Sequence, residues 1–326
     1  MSQAEIPMRI GRRRALRLLA TAGAALACGA GSQAAPAPRR WRGTALGAPA
    51  ELLFAGAGRS DADRAVEVCL DEIERLEREF SLFLPYSALS RLNRDGVLRR
   101  PSGDMRALLH LCLWLGEHSG GAFDISVQPL WQLYARHFGG APVPDGGPPS
   151  AALQAVHRRV DYRRITLSDD RVRLPDGVAL TLNGIAQGYI TDRVADRLRA
   201  LGWRHVLVQL GELRALDGRT AERPWSVDTP AGPVAIADRA VAVSAPEGSL
   251  FEPRGRYHHL LDPISGLPCR AYRSVTVVAD RATMADGLST ALTAMTPATA
   301  RRLLARCPGT TAHFVTASGA RFTIGG

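Results

Sequence analysis

Residues 178–189 read Val178-Ala179-Leu180-Thr181-Leu182-Asn183-Gly184-Ile185-Ala186-Gln187-Gly188-Tyr189. An apolar run, Val178 to Leu182, has the spacing of a strand. It meets a Gly-containing turn, and an amphipathic helix from Ile190 to Leu201 follows. Such a turn offers free N–H groups at a helix start and no Cβ to hold a ligand away. It is not a GxGxxG, so a plain tight connection explains it equally well at this point.

The same alternation of strands and helices extends to both sides. Asp61 to Phe80 is predicted as a long amphipathic helix, with Ala65, Val68, Cys69, Ile73, Leu76 and Phe80 at helical spacing. Asp104 to His118 is a second helix and Ala151 to Arg158 a short third, after a Gly/Pro-rich loop from Gly139 to Ser150. Arg164–Leu167 and Arg171–Leu174 flank Ser168-Asp169-Asp170 as a hairpin. Val206–Leu210, Trp225–Asp228, Ala240–Ser244 and Ser274–Ala279 read as strands. Met284–Thr296 and Thr299–Cys307 read as helices, and Ala312–Thr316 with Ala320–Ile324 as a closing hairpin. Interleaved elements without repeats predict one α+β domain of mixed sheets and helices.

Composition narrows the chemistry. The 326 residues are 46% hydrophobic and 22% charged, the balance of an ordinary globular chain with a large core. All 41 basic Lys+Arg residues are Arg. A Schiff-base lysine, a lysine base and a P-loop lysine are therefore excluded. The net charge of +10 is dispersed among acids, without a basic stripe or interleaved aromatics, so no nucleic-acid partner is expected.

The N-terminus predicts export. Arg12-Arg13-Arg14 precede a short Ala/Gly-rich apolar run from Leu18 to Ala27, and Ser32-Gln33-Ala34 offers a small-residue cleavage site. Residues 1–35 read as a signal peptide of twin-arginine type, residues 36–42 as a polar linker and 43–326 as the domain. A general secretory signal is the alternative reading. The expected location is the periplasm. A lipid anchor on Cys28 is the lesser alternative, because Ala25 stands where a lipoprotein box has Leu. Cys69, Cys112, Cys269 and Cys307 lack metal-type spacing. An exported protein can form a disulfide, and the sequence does not choose a pair.

Three further stretches carry candidate chemistry. Met284-Ala285-Asp286-Gly287-Leu288-Ser289-Thr290 puts Asp286 and Thr290 at i and i+4, on one helix face. A carboxylate and hydroxyl so placed can hold a hard cation such as Mg²⁺, although an Asp that caps its own helix has the same look. His258-His259-Leu260-Leu261-Asp262-Pro263-Ile264-Ser265-Gly266 ends an expected strand in a turn; adjacent His residues there would face opposite sides, so one at most faces a site. Ser119-Gly120-Gly121-Ala122-Phe123-Asp124 alone is a helix exit.

The order and joint spacing of these stretches are more specific than any one. The chain resembles the ApbE family of FAD:protein FMN transferases from about Gly43 to its C-terminus. The resemblance is carried by Phe80-Ser81-Leu82-Phe83 through Leu92-Asn93, by Gly120–Asp124, by Asn183–Gly188, by His259-Leu260-Leu261-Asp262-Pro263 with Gly266, and by Ala285–Thr290. It implies a T-fold-like domain that takes FAD as substrate and a divalent cation, usually Mg²⁺. It implies transfer of FMN through a phosphoester to a Ser or Thr of an exported or membrane flavoprotein, with release of AMP. By motif position, Asp286 and Thr290 with the backbone carbonyl at Gly184 would hold the metal. Phe83 would stack on the isoalloxazine, with Leu46 where relatives often have Met. Ala122, Phe123 and Asp124 would meet the adenine or ribose end, Thr181 and Gln187 would flank the diphosphate, and Leu260 would line the flavin site. His259 and Asp262 would serve as proton acceptor and as shapers of the site.

Departures from the family pattern are informative. Gln187 replaces a common Lys, Thr181 a frequent Asp, Phe83 a frequent Tyr, Ser289 an occasional acid, and Gly211-Glu212-Leu213 a commoner Gly-Gly-Asp. The pattern resembles the NosX branch, associated with nitrous-oxide reductase maturation. Its acceptor would be the membrane flavoprotein NosR, labelled in a Ser/Thr-Gly-Ala-Ser/Thr type motif. A non-catalytic flavin carrier and an Mg-dependent FAD pyrophosphatase are the alternatives.

Overall fold

The computed structural model describes residues 39–45, 48–55 and 59–326. The signal-peptide reading, Cys28 and the Leu46 position lie outside them. In chain order the elements are β1 (Arg39–Ala45), β2 (Ala48–Phe54), α1 (Arg59–Phe80), α2 (Ala88–Asp95), β3 (Val97–Arg99), α3 (Gly103–His118), α4 (Gln128–Phe138) and α5 (Ser150–His157). There follow β4 (Thr166–Leu167), β5 (Arg171–Arg173), α6 (Ala186–Ala200), β6 (Val206–Gln209), β7 (Leu213–Leu216), β8 (Trp225–Thr229), β9 (Gly232–Ile236) and β10 (Ala240–Ser244). The chain closes with β11 (Tyr272–Ala279), α7 (Ala282–Leu292), α8 (Pro297–Leu304), β12 (Thr311–Thr316) and β13 (Arg321–Gly325).

Eight strands form one antiparallel sheet in the order β1-β2-β6-β7-β10-β11-β12-β13. Successive side chains of a strand face opposite ways, and the apolar residues divide accordingly. Leu52, Phe54, Val206, Val208, Val275 and Val277 face the main core under the helices. Leu53, Leu207, Val241 and Val278 face the other side, where Trp225, Val227 and Ile236 of the β8–β9 hairpin cover them. A third cluster sits on α4, whose Leu130, Tyr134 and Phe138 hold Leu261. This gives one α+β domain, as the sequence predicts.

Several expectations need correction. Residues 39–42, read as linker, begin β1: Arg40 and Arg42 both pair with Glu51 on the facing strand, at 2.8 and 3.1 Å, and Trp41 packs on the core. Polar composition hid this strand because its charges are neutralised across the sheet. Val178–Leu182 is not a strand. The Asn93 side chain takes the partner strand's place, accepting from Leu180 N at 2.7 Å and donating to Leu180 O at 2.8 Å. Asn93 projects from α2, whose Ser87 cap accepts from Ser90 N. His258 and His259 lie in an irregular loop that carries two isolated bridges, Leu250 with His258 and Leu261 with Pro268. Cys69, Cys112, Cys269 and Cys307 are buried free thiols, so no disulfide forms among them. Among the described residues no helix is long and apolar enough to cross a membrane.

Candidate functional site: a buried carboxylate under a glycine turn

The 183–188 turn lies on α7. Asp286 is not an N-cap; it sits in the second turn of α7, buried to 5% exposure. Its Oδ2 accepts from Gly188 N at 2.9 Å, at the start of α6, and Oδ1 has no protein donor among the described residues. Four residues on, Thr290 Oγ1 donates to the Gly184 carbonyl at 3.3 Å. A Cβ on Gly188 would lie 2.7 Å from Asp286 Cβ and closer still to the Ala282 carbonyl, so only glycine allows this approach.

Burial pushes the Asp286 carboxyl up to about 7, and the charge of Asp192 adds to the push. Glu212, just before β7 and 7% exposed, is raised by burial and by the charge of Asp286. The backbone of Val243, just past the end of β7–β10 pairing, works against that rise. Among the described residues neither Asp286 nor Glu212 forms a salt bridge. Two buried carboxylates without a protein cation are costly, and a divalent cation would neutralise them. No group of three His, Cys, Asp or Glu side chains converges among the described residues. The donors at hand are oxygens: one carboxylate, one hydroxyl and one carbonyl. That set suits a hard cation such as Mg²⁺, and the expected residues fit it.

Hydrogen bonds tie the other expected residues to this centre. Phe83 stands 60% exposed in the 81–87 loop, its N–H bonded to Ser81 Oγ, while Ser87 Oγ and Ser90 Oγ both donate to Ser81 O. The loop leads into α2 and so to Asn93 and Leu180. Thr181 N donates to Ile125 O at 2.8 Å, and Thr181 Oγ1 accepts from Asn183 N. That contact brings the Gly120–Asp124 turn alongside. Ala122 and Phe123 are buried in the main core, and Asp124 accepts from Ser126 N, Ser126 Oγ and Tyr162 N. The Asp124 carboxylate is thus occupied in holding the turn; what the turn presents is the backbone of Gly120 and Gly121, at φ 66° and 87°. Gln187 folds over Gly211, whose φ of 101° and missing Cβ give it room.

The His loop completes the arrangement. His259 Nδ1 lies 3.0 Å from Ser249 O. A carbonyl only accepts, so Nδ1 carries a proton in this hydrogen bond. A Cβ on Gly248 would press on that edge of the ring. Asp262 accepts from Ile264 N, Ser265 N and Ser265 Oγ, which makes it a builder of the turn. Leu260 is buried, and its carbonyl accepts from Cys269 N. Cys269 Sγ accepts from Thr293 Oγ1 at the end of α7. The Tyr134 hydroxyl donates to Gly266 O at 3.1 Å. The Ser289 hydroxyl bonds Ser244 Oγ at 2.8 Å and donates to the Asp286 backbone carbonyl at 3.0 Å. Two residues here escape the sequence. Glu212 is visible only as a motif variant, and Asp192 has no local sign to set it apart from the other charges of its helix.

An antiparallel α+β domain with an oxygen-donor cluster at a glycine turn defines the class of protein. A family model described as the ApbE family matches residues 46–314. The chain is 30% identical over 286 residues to the FAD:protein FMN transferase of Treponema pallidum, covering 78% of each. It is 30% identical over 249 residues to that of Haemophilus influenzae, covering 68% of this chain and 71% of the relative. The crystal structure of the ApbE protein from Thermotoga maritima superposes with a TM-score of 0.77 at 26% identity, over 88% of this chain and 97% of that one. The apo flavinyl transferase ApbE of Pseudomonas stutzeri gives 0.76 at 25% identity, over 90% and 97%. The chain belongs to the ApbE family.

Proposed function

We propose that this protein is an FAD:protein FMN transferase that labels a Ser or Thr of an exported flavoprotein. The observation that carries the reading is the meeting of Asp286, Thr290 and the Gly184 carbonyl beneath the glycine turn. When bound there, Mg²⁺ would supply positive charge to the diphosphate of FAD. Phe83 offers an exposed face for the isoalloxazine, and Gln187 an amide donor beside the phosphates. The acceptor hydroxyl oxygen attacks the FMN phosphorus and gives its proton to Nε2 of His259. The phosphorus–oxygen bond to AMP breaks, and AMP leaves. Asp262 and Tyr134 hold the His loop in place during this step.

We assign the acceptor to the NosR type of membrane flavoprotein, on the branch-like run of residues 181–189 and 210–216, and the location to the periplasm, on Arg12–Arg14. The domain runs from about residue 39, after an export signal. Gln187 in place of Lys is the observation that favours a non-catalytic carrier instead. The test mixes purified protein, FAD, Mg²⁺ and an acceptor fragment with a Ser/Thr-Gly-Ala-Ser/Thr motif. Flavin fluorescence that stays on the denatured acceptor in a gel is expected. Bound FAD without acceptor label, even with the cognate acceptor, contradicts the transferase.

A further inference from the structure

Helices α6 and α7 both begin without a side-chain cap of their own: Ile185 and Arg281 occupy the cap positions and neither bonds the first turn. Each helix start leaves N–H groups that need acceptors. Each borrows a carboxylate from the other helix. Asp286 of α7 accepts Gly188 N at the start of α6, at 2.9 Å. Asp192 of α6 accepts Ala282 N at 2.9 Å, Thr283 N at 2.8 Å and Thr283 Oγ1 at 2.6 Å, at the start of α7. The two helices are thereby cross-capped, and the register of one fixes the register of the other.

Asp192 is itself held from behind. It is 1% exposed, with Arg214 Nε 3.8 Å and Arg281 Nε 3.3 Å away. Arg214 is buried too, and donates to the carbonyls of Asp238 and Asp280. Arg281 is clamped in turn by both oxygens of Asp196 at 2.7 Å. The α7 N-terminus is therefore anchored to α6 and, through Arg214, to β7. The next turn of α7 carries Asp286, and the one after carries Thr290.

We infer that Asp192 is a positioning residue for the cation site: by cross-capping α7 it sets where Asp286 and Thr290 stand relative to the Gly184–Gly188 turn. The inference rests on the proposed cation site. Asp192 does not touch cation or substrate; it acts through α7. A side chain that orients a ligand in this way typically governs about 10- to 100-fold in metal affinity.

The test uses the full mature protein with Mn²⁺ as the probe, read by electron paramagnetic resonance, alongside melting temperatures. Asp192→Asn keeps the shape and one acceptor but cannot satisfy all three donors. It is expected to weaken Mn²⁺ binding about tenfold or more. Asp196→Asn, which breaks the Arg281 clamp and leaves the cross-caps intact, is the control. It is expected to lower the melting temperature while changing Mn²⁺ affinity less than about twofold. Excess Mg²⁺ should restore FMN transfer by Asp192→Asn and not by Asp286→Ala. Wild-type Mn²⁺ affinity in Asp192→Asn, or equal losses in the two Asn variants, overturns the positioning role. If the wild-type protein binds no Mn²⁺, the cation site falls and this inference falls with it. If both Asn variants fail to fold, Asp192→Glu decides: it keeps the charge and shifts the oxygens, and unaltered Mn²⁺ affinity overturns the inference.

Discussion

Replacing Asp286 by Asn should make the metal-free protein more stable at alkaline pH while abolishing its activity. Asn keeps an oxygen for Gly188 N–H and loses the buried charge. In the folded protein the Asp286 carboxyl is raised from its ordinary 3.8 to about 7. A group raised on folding adds stability below its unfolded value, and that stability is lost as pH rises through the folded value. The wild-type protein without metal should therefore lose stability between pH 4 and 7. At 1.36 kcal/mol per pH unit the loss is about 4 kcal/mol by pH 8. Glu212, raised in the same direction, adds to it in both proteins. Asp286→Asn lacks this loss, so the two proteins should match near pH 4 and differ by about 4 kcal/mol near pH 8 in chelator. Saturating Mg²⁺ should return stability to the wild type alone, because a ligand of the folded state stabilises it by mass action. Urea unfolding at pH 5 and 8, with chelator or Mg²⁺, measures this. If Asp286→Asn is the less stable protein at pH 8 in chelator, the carboxylate serves the fold and the reasoning fails.

Three other substitutions probe separate parts of the site. Gly188→Ala should push α7 off α6, costing about 1–3 kcal/mol and the cation affinity together; urea midpoints and Mn²⁺ titration read both, and an unchanged affinity would show that the close approach is dispensable. Asn93→Ala strands two backbone groups of buried Leu180 and should cost about 2–4 kcal/mol, read as a lowered melting temperature; a loss below about 0.5 kcal/mol would mean water replaces the side chain without penalty. Phe83→Ala should leave stability within about 0.5 kcal/mol, because Phe83 is 60% exposed, yet weaken FAD binding roughly three- to tenfold in a flavin fluorescence titration. Unaltered FAD affinity would remove Phe83 from the flavin site.

What the sequence reveals depends on where each residue finds its partner. Helices α1 and α3 are legible because Leu76, Phe80, Leu108 and Leu115 repeat along their own segments and meet one core. The Asp286–Thr290 spacing is legible for the same reason, since i and i+4 share a helix face. Val178–Leu182 misleads: its composition suits a strand, but its hydrogen-bond partner is a side chain 87 residues away. Strand β1 misleads in the opposite sense, because its arginines look solvated until Glu51 is placed across from them. Asp192 is silent for want of any local sign. Its three donors lie about 90 residues downstream, and nothing near it in sequence distinguishes it from Asp196, which is half-buried against Arg281. Asp124 fits a ligand contact by motif, and its donors at Ser126 and Tyr162 show a second duty, holding the turn, that the sequence does not reveal.

The most direct test is the mass of the acceptor after incubation with FAD, Mg²⁺ and this protein, with AMP measured in the same tube. The acceptor should gain one FMN less one water for each AMP released, and the gain should vanish with Asp286→Ala or with Ala in place of the target Ser or Thr. AMP and free FMN released without any gain in acceptor mass would make water the nucleophile and contradict the transferase account.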